Sequence, residues 1–205
     1  MNSSGETAAF SNLQERMVES QLRARGIADK RVLDAMLRVP RHRFAPERYR
    51  DQAYEDHPLP IGEEQTISQP YIVARMLESL ALKPTDKVLE VGTGSGYLTA
   101  LLAELAMQVV SVERHASLAG AATELLSRMG YDNVRVIIGD GRQGFAENAP
   151  YHAIIVSAAA PEVPPALLDQ LAEGGRMIIP VGSSDSQQLQ LVRMESGEPR
   201  ISWHE

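Results

Sequence analysis

Apolar positions along this chain follow two rhythms. Val88, Leu89 and Val91 form a short apolar run that suits a buried strand, and Gly92, Gly94 and Gly96 break it at once into a tight turn. From Tyr97 to Met107 the apolar side chains Leu98, Leu101, Leu102 and Leu105 recur at helical spacing. The same succession repeats downstream, with strands expected at 108–112, 134–138, 151–157 and 177–181 and helices at 116–129 and 167–171. Gly174 and Gly175 read as a turn, and the alternating stretch 187–194 reads as a hairpin partner. Strands alternating with helices predict an α/β fold with a doubly wound, mostly parallel sheet.

The first 80 residues are patterned differently. Residues 1–10 are small and polar and are expected to be disordered until Ser11, which with Gln14 reads as a capping box. The helix it opens carries Leu13, Met17 and Leu22 and stops at Gly26. A second helix runs from an Asp29 cap through Val32, Leu33, Met36 and Leu37 and ends before Pro40; a third, with Ile72, Val73, Met76, Leu77 and Leu80, follows Pro70. Between them, D-H-P-L-P-I-G-E-E-Q-T-I-S-Q at 56–69 reads as a long irregular segment, because Pro58, Pro60 and Gly62 exclude a helix. Its Leu59, Ile61 and Ile67 indicate packing near a ligand. The expected organisation is an N-terminal helical extension with a substrate loop at 1–80 and an α/β core at 81–205, together one compact unit.

Composition narrows the partners. With 205 residues, 43% hydrophobic and 23% charged, the chain can bury a full core, and its net charge of -7 argues against broad binding to a phosphate backbone. Nucleic acid is therefore not an expected partner. The basic and aromatic stretch P-R-H-R-F-A-P-E-R-Y at 40–49 reads as a solvated surface with Phe44 and Tyr49 tucked inward. There is no cysteine, which removes disulfide and thiolate chemistry and is compatible with a reducing compartment. Neither a leader pattern nor an apolar run of membrane-spanning length is present, so the cytoplasm is expected and no membrane. The five histidines, His42, His57, His115, His152 and His204, lack metal-ligand spacing, and no metal is expected.

Chemistry concentrates at the glycine turn. A strand, a glycine loop and a helix N-terminus let a ligand approach the backbone closely. A dinucleotide loop wants G-x-G-x-x-G, but Tyr97 holds the place of its last glycine and Gly96 comes one residue early, which weakens a hydride-transfer reading. Glu90 completes E-x-G-x-G-x-G instead, a pattern that resembles the first motif of S-adenosylmethionine-dependent methyltransferases. Glu113, about twenty residues beyond the loop and at a strand end, can accept both hydrogen bonds of a ribose diol. Asp140, in G-D-G at the carboxyl edge of the next strand, can hold an adenine amino group, and the small residues of A-A-A-P-E-V-P-P at 158–165 leave room for a substrate. Ser68, just before Pro70, can cap the following helix or serve the chemistry.

Over nearly its whole length the chain resembles the protein-L-isoaspartate O-methyltransferase family. P-L-P-I-G-E-E-Q-T-I-S-Q-P-Y at 58–71 is similar to that family's own loop, V-P-R-H-R-F at 39–44 fits it, and L-E-V-G-T-G-S-G-Y, V-E-R at 112–114, G-D-G and P-V-G at 180–182 follow in order. The resemblance implies a Rossmann-like methyltransferase fold and transfer of methyl from S-adenosylmethionine to the α-carboxylate of L-isoaspartyl residues, leaving S-adenosylhomocysteine. It implies that Glu90, Gly92, Thr93, Gly94, Ser95, Gly96, Glu113, Asp140 and Gly141 hold the cofactor. Ser68 would stand at the active-site position, with Ile61, Ile67 and Gln69 lining the peptide site. Isoaspartyl proteins and peptides would be the partners of a monomer. The family commonly continues with a segment like V-R-F-V-P-L, whereas this chain stops at I-S-W-H-E, and Ala159-Ala160-Pro161 stands where an Ala-Pro-Pro-like turn is expected. A truncated form with impaired catalysis is the alternative these departures raise. A methyltransferase acting on another small molecule or protein would share the cofactor half. Ser157 to Pro161 lacks the acidic or Asn residue before two prolines and an aromatic that an amino-directed DNA enzyme shows.

Overall fold

The computed structural model describes residues 3–183 and 186–204. The chain packs as two compact units that divide between Glu78 and Ser79.

In the first unit, α1 spans Ser3–Met17 and is continued by a π turn at Val18–Leu22 and a 3-10 turn at Arg23–Arg25, closed by left-handed Gly26. The helix thus begins eight residues before the expected Ser11 cap, and only residues 1 and 2 of the expected disordered segment lie outside the described residues. Tertiary contact explains the extension: Phe10 is buried and stacks on the His42 ring at 4.1 Å, anchoring a turn that propensity alone leaves open. Gln14 closes no capping box. Its amide donates to the carbonyls of Met36 at 2.7 Å and Val39 at 2.8 Å, at the end of α2 (Lys30–Arg38). Asp29 caps α2 as the sequence predicts, accepting from the N–H groups of Arg31 and Val32.

The segment expected to be irregular is a β-hairpin, with β1 (Leu59–Gly62) antiparallel to β2 (Gln65–Ile67). Glu63 and Glu64 both take positive φ in its two-residue turn, a conformation normally signalled by Asn or Gly, so the sequence does not advertise it. Pro60 is tolerated because β1 pairs on one side only, in a two-stranded sheet. Next comes α3 (Pro70–Leu80).

The second unit holds a seven-stranded sheet. Its strands are β3 (Lys87–Val91), β4 (Gln108–Glu113), β5 (Val134–Ile138), β6 (Tyr151–Val156), β7 (Leu171–Ser183), β8 (Ser186–Glu195) and β9 (Glu198–His204), in the order β5-β4-β3-β6-β7-β8-β9. The first five in that order are parallel, and β8 and β9 are antiparallel additions. Helices α4 (Tyr97–Leu105), α5 (Ala116–Arg128) and α6 (Pro165–Asp169) connect the parallel strands. Leu89, Val110, Ile154, Met177 and Ile179 fill the core on one face. Because β4 lies on one side of β3 and β6 on the other, the chain reverses direction around β3, and a crevice opens at the carboxyl ends of these strands.

Two expectations fail at the C-terminal end. Gly174 and Gly175 do not end a helix before a separate strand; both lie inside β7, next to an irregularity in its pairing with β6. Strand β9 is not among the expected elements, although its Ser196-Gly197 turn, with both residues at positive φ, is a recognisable hairpin signal. Glu173 secures that turn by accepting from the N–H groups of Ser196 and Gly197. Among the described residues no helix is long and apolar enough to cross a membrane.

Candidate functional site

Gly92 to Gly96 follow β3 directly and sit at the sheet's crevice. Gly92 donates to the carbonyl of Val112 at 2.8 Å, and with φ of 97° it brings the chain so close to the end of β6 that a Cβ there would lie 3.4 Å from that of Ser157. Gly96, also left-handed, is the N-cap of α4. The loop therefore presents backbone rather than side chain at the head of a nine-residue helix.

Beneath the loop lies a chain of hydrogen bonds. Thr99 and Ser111 hydroxyls each donate to Oε2 of Glu90 at 2.6 Å; since the Ser111 proton is thus committed, Ser111 accepts from the Thr93 hydroxyl. One buried carboxyl group thereby ties the loop to β4 and α4. Glu90 is fully buried, and burial pushes its pKa up to about 8, with the nearby Glu113 adding to the rise against the pull of the two hydroxyls. At neutral pH it is a neutral acid. It supports the loop from below and reaches no surface.

Glu113 ends β4 and faces the loop itself. Gly94 N–H donates to its Oε2 and His115 N–H to its Oε1, each at 2.9 Å. Each oxygen keeps a second lone pair, so the carboxylate can accept two further bonds. Ser95 and Gly94 are half-buried at the mouth of the loop.

Asp140 follows β5, exposed at the carboxyl edge. It accepts from the N–H of Arg142, and the Arg142 guanidinium bonded to it holds its carboxyl below the usual range. Gly141 is required sterically: a Cβ there would collide with Cγ1 of Val91. Sequence reasoning missed what holds this segment. Gln170, buried at the end of α6, accepts from Phe145 N–H at 2.8 Å and donates to the Gln143 carbonyl at 2.7 Å. No local pattern marks such a clamp, because its partners lie some 25 residues away.

The candidate substrate residues lie in the first unit. Ile67 is buried, and Ile61, Ser68 and Gln69 are half-buried. Gln69 donates its amide to the Asp56 carbonyl, and its own carbonyl accepts from Val73 N–H at 3.2 Å. Gln69, not Ser68, therefore stands at the position just before α3, its main-chain carbonyl taking the first helical bond while its side chain bonds Asp56. Arg41 is the exception to the solvated-surface reading of the basic stretch, whose Arg43 and Arg48 are exposed. It is fully buried, its Nε donating to the Ala53 carbonyl at 2.7 Å and its Nη2 to the Ser68 carbonyl at 2.9 Å. Phe44 is tucked inward as expected, while Tyr49 stays half-buried with Arg48 over its ring.

A loop with glycine at 92, 94 and 96 and a strand-end carboxylate with lone pairs to spare suit a nucleoside with a ribose diol. Together with the sheet order they define a nucleotide-type site of the methyltransferase class. The chain matches the family model described as Protein-L-isoaspartate(D-aspartate) O-methyltransferase (PCMT) over residues 12–204. A protein-L-isoaspartate O-methyltransferase from Koribacter versatilis is 56% identical over 197 residues, covering 96% of this chain and 89% of that one. One from Methanoculleus marisnigri is 57% identical over 188 residues, covering 92% and 84%. Among solved structures, a protein-L-isoaspartate O-methyltransferase superposes with a TM-score of 0.83 at 31% identity, covering 93% of this chain and 63% of that one. A putative member from Plasmodium falciparum, in complex with S-adenosyl-L-homocysteine, gives 0.77 at 30% identity, covering 95% and 93%. The chain belongs to the protein-L-isoaspartate O-methyltransferase family.

Proposed function

We propose that this chain methylates the free α-carboxylate of L-isoaspartyl residues in damaged proteins and peptides, using S-adenosylmethionine, and so starts their repair. The observation that carries the reading is the loop Gly92–Gly96, tied through Gly94 to Glu113, on a chain that matches the family over residues 12–204. Gly92, Thr93, Gly94, Ser95, Gly96, Asp140 and Gly141 would hold the cofactor around Glu113, whose spare lone pairs take the ribose. Glu90 serves through Ser111, which it holds and which in turn bonds Thr93. S-adenosylmethionine, when bound, supplies an electrophilic methyl group on sulfur and leaves as S-adenosylhomocysteine.

The remaining chemistry is positioning. A carboxylate with a pKa near 4 is already ionised at neutral pH, so the chain needs no strong general base. Its task is to hold a carboxylate oxygen in line for attack and to keep water away. The Ser68 hydroxyl donates to the carboxylate and orients it, while Ile61, Ile67 and Gln69 receive the flanking peptide. A single neutral donor orients the anion without overstabilising it, which matters because only interactions stronger in the transition state speed the step. After release, the substrate's own main-chain amide nitrogen attacks the methyl ester and expels methanol, giving a succinimide that water reopens in part as normal aspartate.

The test is methyl transfer to a short isoaspartyl peptide, with its aspartyl twin as control. Activity on the isoaspartyl peptide alone supports the reading; transfer to neither peptide, with S-adenosylhomocysteine still bound, moves the substrate elsewhere. The reading includes a cytoplasmic monomer with no nucleic-acid or membrane partner, and the net charge of -7 supports a polypeptide partner over nucleic acid. Sedimentation and cell fractionation check the first two.

A further inference from the structure

We infer that Arg41 is a positioning residue of the substrate site, its buried guanidinium fixing the main chain of Ser68; the inference rests on the reading of Ser68 given above. Arg41 opens the short turn Arg41–Arg43 and is fully buried. Removing a guanidinium from water costs several kcal/mol, and an apolar side chain would fill the same space without that cost. What an apolar residue cannot do is bridge two carbonyls. Nε bonds Ala53, just past the turn Glu47–Gln52, and Nη2 bonds Ser68, at the end of the hairpin. The rigid fork sets both contacts at once, which a lysine ammonium on a flexible stem does not.

The consequence falls on one peptide group. The Ser68 carbonyl is held by Arg41, while the next residue is held by its carbonyl bond from Val73 and its amide bond to Asp56. The half-buried Ser68 side chain is carried on a backbone clamped on both sides. Arg41 acts through Ser68 and touches no reacting atom.

A double-mutant cycle tests this, using Arg41→Lys, Ser68→Ala and the pair, with steady-state kinetics on an isoaspartyl peptide and calorimetry with S-adenosylhomocysteine. Arg41→Lys is expected to lower kcat/KM at least about tenfold while the S-adenosylhomocysteine Kd stays within about twofold. In the Ser68→Ala background the same change is expected to cost less than about threefold, because the group it positions is already gone. Unchanged kcat/KM in Arg41→Lys, or the full loss repeated in the Ser68→Ala background, overturns the inference. Arg41→Gln, a neutral donor that reaches one carbonyl, serves if the lysine variant does not fold; failure of both to fold makes Arg41 a structural residue and also overturns it. Amide exchange at residues 65–69 gives an arm independent of turnover: it should quicken there and around Ala53, the other group Arg41 holds, and nowhere else in the folded variant. Wild-type protein inactive on the peptide would sink the functional reading alone, and the exchange data would still decide the Arg41 contact.

Discussion

Two carboxyl groups lie close together at the glycine loop, and their hydrogen-bond partners separate their chemistry. Glu113, bonded to two backbone N–H groups, is the one equipped to meet a ribose. Glu113→Ala should weaken S-adenosylhomocysteine binding by roughly 1.5–3 kcal/mol for each charge-assisted bond lost, read by calorimetry. An unchanged Kd would place the ribose contact on another group. Glu90 makes a different prediction, in stability. Its folded pKa, about 8, stands above the ordinary glutamate value of 4.5, so the folded state keeps a proton that the unfolded state releases as pH rises between those values. The stability Glu90 contributes is fully present below the unfolded pKa and is lost as pH climbs through the folded one. Glu90→Gln keeps an acceptor for Thr99 and Ser111 without a titrating proton. Denaturant unfolding should show the variant gaining on wild type from about pH 5 to pH 8, by an amount on the order of several kcal/mol. Parallel stability curves would show that Glu90 does not titrate in this window. The sequence identifies both acids by their place around the loop, but it does not separate their roles. That separation depends on Thr99 and Ser111, whose hydroxyls come from other elements.

At the scale of elements, what could be read ahead was whatever depends on local periodicity. The parallel strands, the Asp29 cap and the Gly26 stop follow from residues within one or two turns of each other. What escaped depends on distant partners: the early start of α1 on the His42 stack, the burial of Arg41 by carbonyls 12 and 27 residues away, and the Gln170 clamp. The hairpin β1–β2 escaped for another reason, since two glutamates occupy turn positions where φ is positive. Gly141 belongs with the readable glycines, although its reason is packing between elements. The segment after β5 crosses the end of β3 so closely that a methyl group would meet the stiff, β-branched Val91. Gly141→Ala should destabilise the protein by about 1–3 kcal/mol and weaken cofactor binding by displacing Asp140. Adding Val91→Ala should restore much of both, seen in thermal melts and calorimetry. A double variant no better than Gly141→Ala would mean that the clash is relieved elsewhere.

Across the larger unit, stability and ligand chemistry are assigned to opposite ends of the sheet. The glycine loop, Glu113 and Asp140 all lie at or just past the carboxyl ends of their strands, where the doubly wound fold opens its crevice. Arg176 works near the other end, paired in register with Ala153 close to the start of β6. It is buried and donates to the carbonyls of Leu80, Ala81 and His152 and to the Asp86 carboxylate, the last at 2.6 Å. One side chain therefore joins β7 to the segment that leads into β3, across about 95 residues of chain. Asp86 is equally buried and also accepts from Lys83 N–H. Arg176→Met removes every one of these donors and leaves an uncompensated carboxylate, a loss of about 3–5 kcal/mol. For a chain of this size that lowers Tm by roughly 10 °C. Adding Asp86→Asn should recover part of the loss, because the stranded charge is then gone. The folded variant should bind S-adenosylhomocysteine as wild type does, since no group at the crevice has moved. A variant with wild-type Tm and weakened binding would reverse that assignment and tie Arg176 to the ligand end of the sheet.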